Sequence, residues 1–344
     1  MVRIHKPRSG SLAFYPRKRA KQEKPVFKTF PAISTVKPLN FYAYKVGMTH
    51  ILIRNEAEKT VAFGQDIFMP CTILEVPPIT VYGIRAYENT PYGLKTVGDF
   101  YAENFKKELF RRQPYLKKMK KRKDIAELDK LIAEQKASEL RLLCHTNPGL
   151  TGIGKKTPEL VEIALGGEKI EDKLNYAKEK LGKDINIVEV FKEKQFIDVK
   201  AVNKGKGFSG VVERFGVKIQ RRKAKYRRVV GSIGPWHPPL VMWTVPRPGQ
   251  HGYQTRTIHN LIVVKIGENP EEINAEGGFT NYGIVRNPFM LVSGSVPGPQ
   301  KRLIALREPI RPANEKRLKL GEISFVYCKD RKLKREKIAE ITAK

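Results

Sequence analysis

The chain has 344 residues, 40% of them hydrophobic, with 66 lysines and arginines against 35 aspartates and glutamates and a formal net charge of +31. This hydrophobic content is enough for a folded core, which excludes a wholly disordered chain, and no apolar run approaches the ~20 residues that span a bilayer. So large a positive surplus indicates a polyanionic partner, with RNA or DNA favoured over a membrane surface.

The cysteines indicate no cross-link and no metal site. Cys71, Cys144 and Cys328 are far apart in the sequence and form no CxxC pair, so neither a disulfide framework nor a zinc site is predicted. The basic first residues are not followed by an apolar block of the kind that a secretion signal requires. We therefore expect a soluble protein of the reducing cytoplasm.

Residues 1–40 are predicted to form an extended basic arm. They hold ten lysines and arginines and five prolines, with Glu23 as the only acid. The basic cluster at 16–21 could serve as a nuclear localisation signal, but the charge bias covers the whole arm and favours direct phosphate contact. The candidate contacts are Arg3, Lys6, Arg8, Arg17, Lys18 and Arg19.

Residues 41–95 have the pattern of β-structure. Branched and aromatic residues, separated by turn signals, predict strands at 41–53, 71–76 and 79–87. Gly47 lies inside the first of these and predicts a bulge or a close approach of backbone. Lys45 and His50, in the same segment, are candidate RNA contacts, and His50 has a structural role as its alternative.

Residues 96–140 are predicted to form a helical insertion. The periodicity from about Asp99 to Glu139 indicates two helices divided by Pro114. Between them, residues 117–123 contribute six basic side chains, for which RNA contact is favoured over simple solvation. Residues 141–202 then lead back to β-structure, with strands at 140–144, 160–165, 185–191 and 196–202 and a helix from Ile170 to Leu181.

Residues 203–260, which we call the finger, carry the strongest functional signal. With Lys200 they hold thirteen basic residues, and Glu213 is their only acid. Such a segment brings like charges together with little apolar area, so an anion must neutralise it. Its candidate RNA contacts are Lys204, Lys206, Arg214, Arg221, Arg222, Lys223, Lys225, Arg227, Arg228, Arg247, Gln250, His251, Tyr253 and Arg256.

The middle of the finger has a different chemistry. Trp236 and His237 lie between Pro235 and Pro238, which can hold a planar ring rigidly. The alternative for Trp236 is an ordinary core tryptophan, but the surrounding prolines and glycines offer no strand or helix to bury it. We therefore predict an exposed ring that stacks on RNA.

Residues 261–328 are again β-rich, and 329–344 form a basic tail with a helical pattern. Strands are predicted at 261–266, 279–285, 289–292, 303–307 and 323–327. The expected fold is mainly β with α insertions: a β-rich barrel divided by helical and basic segments. A doubly wound sheet would require regular alternation of strands and helices, which is not found.

Two enzymatic interpretations, a nucleotide-binding loop and a histidine-based reactive site, lack the residues that they require. The segment from Gly149 to Lys155 has the spacing of a phosphate-binding loop, but Lys156 follows where a serine or threonine would bind magnesium, and Pro158 interrupts the helix that should come next. His237, His251 and His259 match no metal-ligand spacing, and no carboxylate is seen near them to orient an imidazole.

Several segments resemble the universal large-subunit ribosomal protein L3 family. Residues 44–50 (YKVGMTH) are similar to its first strand, and residues 231–234 and 249–253 to its central loop. Asn203 departs from the serine or threonine of the family signature but keeps a polar side chain before the Gly-Lys-Gly turn. The other residues that fit the signature are Phe191, Asp198, Ala201, Gly205, Lys206, Gly207, Gly210 and Arg214.

This resemblance implies a six-stranded translation-protein β-barrel interrupted by helices and bound to large-subunit rRNA near its 3′ region from early in assembly. It also implies that the central loop approaches the peptidyl transferase centre, with Trp236, His237 and Pro238 at its tip. The helical insertion and the Trp-His-Pro tip resemble archaeal and eukaryotic members, and the composition favours an archaeon.

The leading hypothesis is a non-enzymatic ribosomal protein of the cytoplasm that binds large-subunit rRNA and neighbouring ribosomal proteins. We expect it to bind no membrane, no small-molecule substrate and no cofactor, although rRNA could hold structural Mg²⁺ nearby. The competing hypotheses are an RNA-modifying enzyme, for which no cluster of titratable groups is found in the sequence, and a DNA-compacting protein, which the long aromatic-tipped loop does not suit.

Overall fold

A computed structural model describes residues 10–57, 60–119, 125–134, 136–275, 277–313 and 320–327. The prediction of a mainly β fold is confirmed, and the structure has few helices. Its strands are β1 (Asn40–Asn55), β2 (Asp66–Glu75), β3 (Ile79–Thr90), β4 (Gly93–Tyr101), β5 (Glu139–His145), β6 (Leu160–Ala164), β7 (Asp184–Ile185), β8 (Phe196–Val202), β9 (Phe208–Ser209), β10 (Gly249–Gln250), β11 (Thr255–Gly267), β12 (Phe289–Ser293), β13 (Leu303–Arg307) and β14 (Leu320–Val326).

Helices are fewer than strands in the described residues. The α-helices are α1 (Ile125–Ala133), α2 (Ile170–Lys180) and α3 (Val211–Phe215). Single 3-10 turns occur at Leu12–Phe14, Leu109–Arg111, Pro114–Lys117, Pro148–Leu150, Ile187–Glu189 and Pro270–Glu272.

The chain divides into two compact units. The finger unit comprises Met1–Glu23 and Val202–Arg256, and the sheet unit comprises Lys24–Ala201 and Thr257–Lys344. The first unit therefore joins the first part of the basic arm with most of the finger, which is far from it in the sequence.

Six strands of the sheet unit close into a ring. Their order is β13-β8-β11-β12-β2-β1, and a further antiparallel pairing of β1 with β13 returns the series to its start. In that pairing Asn40 lies opposite Arg307 and Tyr44 opposite Leu303. The number of strands is that implied by the resemblance, and β14 joins β1 outside the ring.

A second antiparallel sheet, in the order β4-β3-β5-β6 with β7 also paired to β3, lies in the sheet unit. The first eight residues of β1 are all buried, without the alternation that one solvated face would give. A strand of this kind is covered on both faces. Accordingly, one core cluster contains Phe41 of β1 and Ile304 of β13 together with Ile84 of β3 and Leu142 of β5.

The bulge predicted at Gly47 is confirmed, because the register of β1 against β2 shifts between Lys45 and Gly47. The helix predicted from Ile170 is also confirmed as α2, and Gly182 follows it with a φ of +78°. Glycine adopts this left-handed conformation without the steric cost that a Cβ would add, which is why the helix ends there.

The prediction for the helical insertion was wrong in two respects: it placed the start of the insertion too early, and it expected a regular first helix. Gly93–Tyr101 is the strand β4, and the first predicted helix is replaced by the two 3-10 turns at 109–117. Leu109 and Leu116 are buried beside Tyr82 and Leu143 of the second sheet. The helical spacing of apolar residues here reflects this packing, and Pro114 limits the turns to short lengths. Residues 120–124, with much of the basic run, lie outside the described residues.

Two predicted strands were wrong in part. Residues 279–285 contain only an isolated bridge between Phe279 and Gly283, whose neighbours Gly277 and Gly278 have positive φ. In the segment 185–191, β7 ends at Ile185 and a 3-10 turn with a capping box follows. Short runs of apolar residues do not distinguish a strand from a buried turn. The predicted helical tail from 329 onward lies outside the described residues.

Candidate nucleic-acid interface

The base of the finger consists of two segments that run side by side. The amide of Asn203 donates to Gln254 O at 3.0 Å, and that of Lys206 donates to His251 O at 2.9 Å. Beyond them β9 pairs with β10. Asn203 Oδ1 also accepts from the amide of Gln254 at 2.7 Å. The polar side chain before the Gly-Lys-Gly turn therefore has a definite task, which is to close the base of the finger.

Gly252 permits this close approach. Its φ is +71°, and a Cβ at this position would lie 2.1 Å from Lys204 O. Neither the conformation nor the space accepts a side chain.

We expect Gly252→Ala to open the base of the finger. Relief of the clash requires backbone movement, so the amides of Lys206 and His251 should exchange roughly 10- to 100-fold faster, as strain of about 1–3 kcal/mol implies. Amide hydrogen exchange of the full chain measures this. Gly210→Ala is the matched control, since its Cβ would meet no atom within 4 Å. Unchanged exchange in Gly252→Ala would show that the clash is not real.

The arm packs on the finger through Arg17. Its guanidinium lies 4.3 Å from the ring centroid of Phe215, and its Nη1 donates to Arg214 O at 3.1 Å. The ring of Tyr15 lies 5.4 Å from that of Trp243. The sequence analysis did not identify Tyr15 or Phe215, and no local signal pairs either residue with a partner so distant in the sequence. Arg17 is therefore partly engaged within the finger unit.

Arg214 is similarly held by its own unit. Its Nε donates to Gln250 O at 3.1 Å, and its Nη1 donates to Arg247 O at 2.8 Å. Burial and the neighbouring charge of Arg17 lower the pKa of the Arg214 guanidinium. The same two causes lower the pKa of Arg256, which lies over Phe14 at 4.7 Å. Positive charge is thus concentrated here by internal packing.

The stalk of the finger is its most highly charged part. Six basic residues lie within 221–228, all exposed, and none forms an ion pair with another described residue. A hydrogen bond joins the two ends of this segment: the amide of Gln220 donates to Arg227 O at 3.0 Å. We call these residues the stalk sextet: Arg221, Arg222, Lys223, Lys225, Arg227 and Arg228.

The tip that follows has no charge. Residues 229–246 contain no lysine, arginine, aspartate or glutamate. Trp236 is 88% exposed, and Leu240 and Trp243 are 65% and 63% exposed. His237 and Pro238 are exposed as well. Apolar rings and side chains presented in this way are typical of a contact surface.

The remaining finger-unit candidates differ in their exposure. Lys18, Arg19, Lys204, Lys206 and Arg247 are exposed, whereas Gln250, His251 and Tyr253 are half-buried in the base. The candidates Arg3, Lys6 and Arg8 lie outside the described residues.

Lys45 and His50 belong to the sheet unit and not to the finger unit. Lys45 is buried, its Nζ donates to Val296 O at 2.5 Å and to Gly298 O at 3.1 Å, and burial lowers its pKa. This geometry gives the ammonium internal partners and does not favour its predicted RNA contact. The ring of His50 stacks on Tyr327 with centroids 4.2 Å apart, which agrees with the structural alternative.

A carboxylate does orient one of the histidines, contrary to the sequence analysis. His259 Nδ1 lies 3.0 Å from Asp198 Oδ2, a partner sixty-one positions earlier that the local sequence could not reveal. Asp198 is fully buried and also accepts from Arg307 Nη2 at 2.5 Å. Burial would raise the pKa of Asp198, but the hydrogen bonds from Arg307 and His259 hold it below its usual value. The acid is therefore a structural anchor of the sheet unit.

Other potential reactive sites are not assembled. The phosphate-binding spacing at 149–155 is followed by the strand β6 and not by a helix. Among the described residues, no group of three or more histidine, cysteine, aspartate or glutamate side chains could hold a metal ion. No described helix is both long enough and apolar enough to cross a membrane.

Comparison with known proteins identifies the family. A family model described as ribosomal protein L3 matches residues 1–333. Proteins named large ribosomal subunit protein uL3 are similar to the chain over nearly its whole length. That of Methanocaldococcus jannaschii is 48% identical over 94% of this chain and 97% of its own, and that of Methanobrevibacter smithii is 45% identical over 96% and 99%. That of Methanococcus vannielii is 47% identical over 94% and 97%. The chain therefore belongs to the ribosomal protein L3 family, whose members are structural ribosomal proteins and not enzymes.

Proposed function

We propose that the protein is a structural component of the large ribosomal subunit, in the cytoplasm, and that its finger binds rRNA. The observation that carries this proposal is the exposed stalk sextet, which no carboxylate of the described residues neutralises. Phosphates are the natural partners of such a group, and each one bound releases condensed counterions. Neighbouring ribosomal proteins complete the surroundings of the sheet unit.

The two parts of the finger divide the work. The stalk neutralises phosphates and supplies affinity, whereas the uncharged tip at Trp236 offers rings for stacking on bases. We place this tip toward the peptidyl transferase centre, which it supports without taking part in the chemistry. The family resemblance implies that the protein binds near the rRNA 3′ region early in assembly, and we include this in the proposal. A basic unit suits such a role, because it can gather distant RNA segments before they are folded.

The function calls for no cofactor of the protein itself. The chemistry of the proposed site is charge neutralisation and stacking, and neither requires a bound metal. Any Mg²⁺ near the finger would be held by rRNA phosphates.

A photoreactive side chain at Trp236 tests the proposal. In assembled large subunits it should cross-link to rRNA of the peptidyl transferase region, while the same side chain at Tyr226, a stalk residue that is 74% exposed, should mark a different RNA segment. Mass spectrometry should find the protein in purified large subunits. Absence from those subunits, or cross-links from Trp236 to proteins alone, would contradict the proposal.

A further inference from the structure

The finger unit contains a cavity that the stalk and tip do not explain. It has a volume of about 640 Å³ and is lined by Arg19 and Lys21 of the arm, Gly205 and Gly207 of the Gly-Lys-Gly turn, and Gln250 and Tyr253 of the return segment. Three stretches that are distant in sequence therefore form its walls.

These walls are held by hydrogen bonds within the unit. The amide of Ala20 donates to Tyr253 O at 2.8 Å, and the phenol of Tyr253 donates to Glu23 Oε1 at 3.0 Å. Tyr253 has a φ of +54°, an uncommon conformation for a residue with a side chain. The arm and the return segment are thus fixed to each other beside the cavity, and the ring has a defined place in its wall.

The groups on the walls suit a nucleotide. Tyr253 supplies an aromatic ring, and Gln250 supplies an amide whose Nε2 donates to Gly252 O at 3.1 Å, so that Oε1 is directed away from that bond. The amides of Gly205 and Gly207 donate to no acceptor in the described part of the chain. Arg19 and Lys21 are exposed cations at the same cavity. A ring and an amide recognise a base, whereas free backbone amides and cations recognise a phosphate.

We propose that this cavity receives one unstacked nucleotide of single-stranded RNA, with its base against Tyr253 and its phosphate near Arg19 and Lys21. The inference rests on the proposed function and gives the finger unit a ligand of defined form. A duplex cannot present a base in this way, because its bases are paired and stacked. A phosphopeptide would use the cations but would leave the ring and the amide without a partner.

The cavity can be filled without disturbing the backbone. A Cβ at Gly205 would lie 3.4 Å from Tyr253 Cβ and 3.6 Å from its Cδ2, which is ordinary contact, and Gly205 has no positive φ. Gly205→Val therefore places its methyl groups against the ring. Gly210→Val is the matched control, because no atom lies within 4 Å of a Cβ there.

The test compares two RNA probes on the full-length protein, an oligoriboadenylate of ten nucleotides and an abasic oligomer of the same length and charge. The wild type should bind the oligoriboadenylate more tightly, and Tyr253→Leu should reduce this ratio by roughly 5- to 100-fold, the range of one base stacked on one ring. Gly205→Val should reduce it similarly. Tyr253→Phe keeps the ring and should preserve the ratio, as should Gly210→Val.

The outcomes separate the two proposals. If both cavity variants keep the wild-type ratio, or if duplex RNA competes as well as the oligoriboadenylate, the nucleotide cavity is overturned while the salt-dependent binding of the finger stands. If a phosphopeptide displaces the oligoriboadenylate at equal concentration, the ligand class is wrong. If neither probe binds in a salt-dependent manner, the proposed function itself fails.

Discussion

Replacing all six residues of the stalk sextet with glutamine should weaken binding to rRNA fragments by about 10³-fold or more near 0.1 M salt. Each lost phosphate contact removes a counterion-release term of roughly 0.7 to 0.9 in the slope of log affinity against log salt. The slope should therefore become shallower by roughly 4 to 5. Filter binding or fluorescence anisotropy between about 0.05 and 0.3 M salt measures both quantities.

A control with the same change of charge tests whether position matters. Six exposed lysines of the sheet unit can be replaced together, namely Lys95, Lys107, Lys156, Lys169, Lys183 and Lys192. This variant should lose much less affinity than the stalk variant, because those lysines are dispersed. Equal losses would show that the protein responds to net charge alone and that the stalk is not a distinct contact.

Asp198→Ala should lower the free energy of unfolding of the sheet unit by about 3–5 kcal/mol. The substitution leaves the guanidinium of Arg307, which is 4% exposed, without its carboxylate, and an unpaired buried charge is costly. Denaturant unfolding followed by circular dichroism measures the loss. The double variant Asp198→Leu with Arg307→Met should recover much of it, because no charge is then buried.

An exposed pair provides the comparison. Asp129 lies 2.7 Å from Lys178, and both side chains are more than one third exposed. Asp129→Ala should change the free energy of unfolding by less than about 1 kcal/mol, since solvent screens such pairs. A similar loss in both variants would show that the burial of Asp198 contributes nothing.

The stabilisation by Asp198 should also depend on pH in a defined direction. Its pKa in the folded protein is below the usual 3.8, so the folded state binds its proton less readily than the unfolded chain does. The contribution is present above that value and decreases as the pH falls through the folded pKa. The difference in stability between wild type and Asp198→Ala should therefore narrow below about pH 4.

Local chemistry made much of the fold predictable. Segments rich in branched and aromatic residues indicated β1 and β8, and Gly47 and Gly182 indicated a bulge and a helix end. Each of these features depends on residues adjacent in the sequence. The strand β4 was missed because its first four residues are exposed and only Gly98 and Phe100 are buried, so little of it shows the apolar alternation that indicates a strand.

In the candidate site, too, the features that depend on local sequence were predicted and those that depend on distant contacts were not. The stalk and the tip could be recognised because charge and its absence are visible in composition. The contact of Arg17 with Phe215 and the partnership of His259 with Asp198 could not, since each joins positions that only folding brings together. The internal role of Lys45 was hidden for a further reason: its acceptors are backbone carbonyls, which every residue possesses.

The six-strand ring can close only late in the synthesis of the chain. The pairing that closes the ring joins β1 at Asn40–Asn55 to β13 at Leu303–Arg307, so the ring cannot close until residue 307 has been synthesised. The finger, at 203–260, leaves the translating ribosome before that. The charges of the finger are therefore exposed to the cytoplasm before the ring can close. An RNA or a chaperone that binds them at this stage would bind a nascent chain whose six-strand ring is not yet formed.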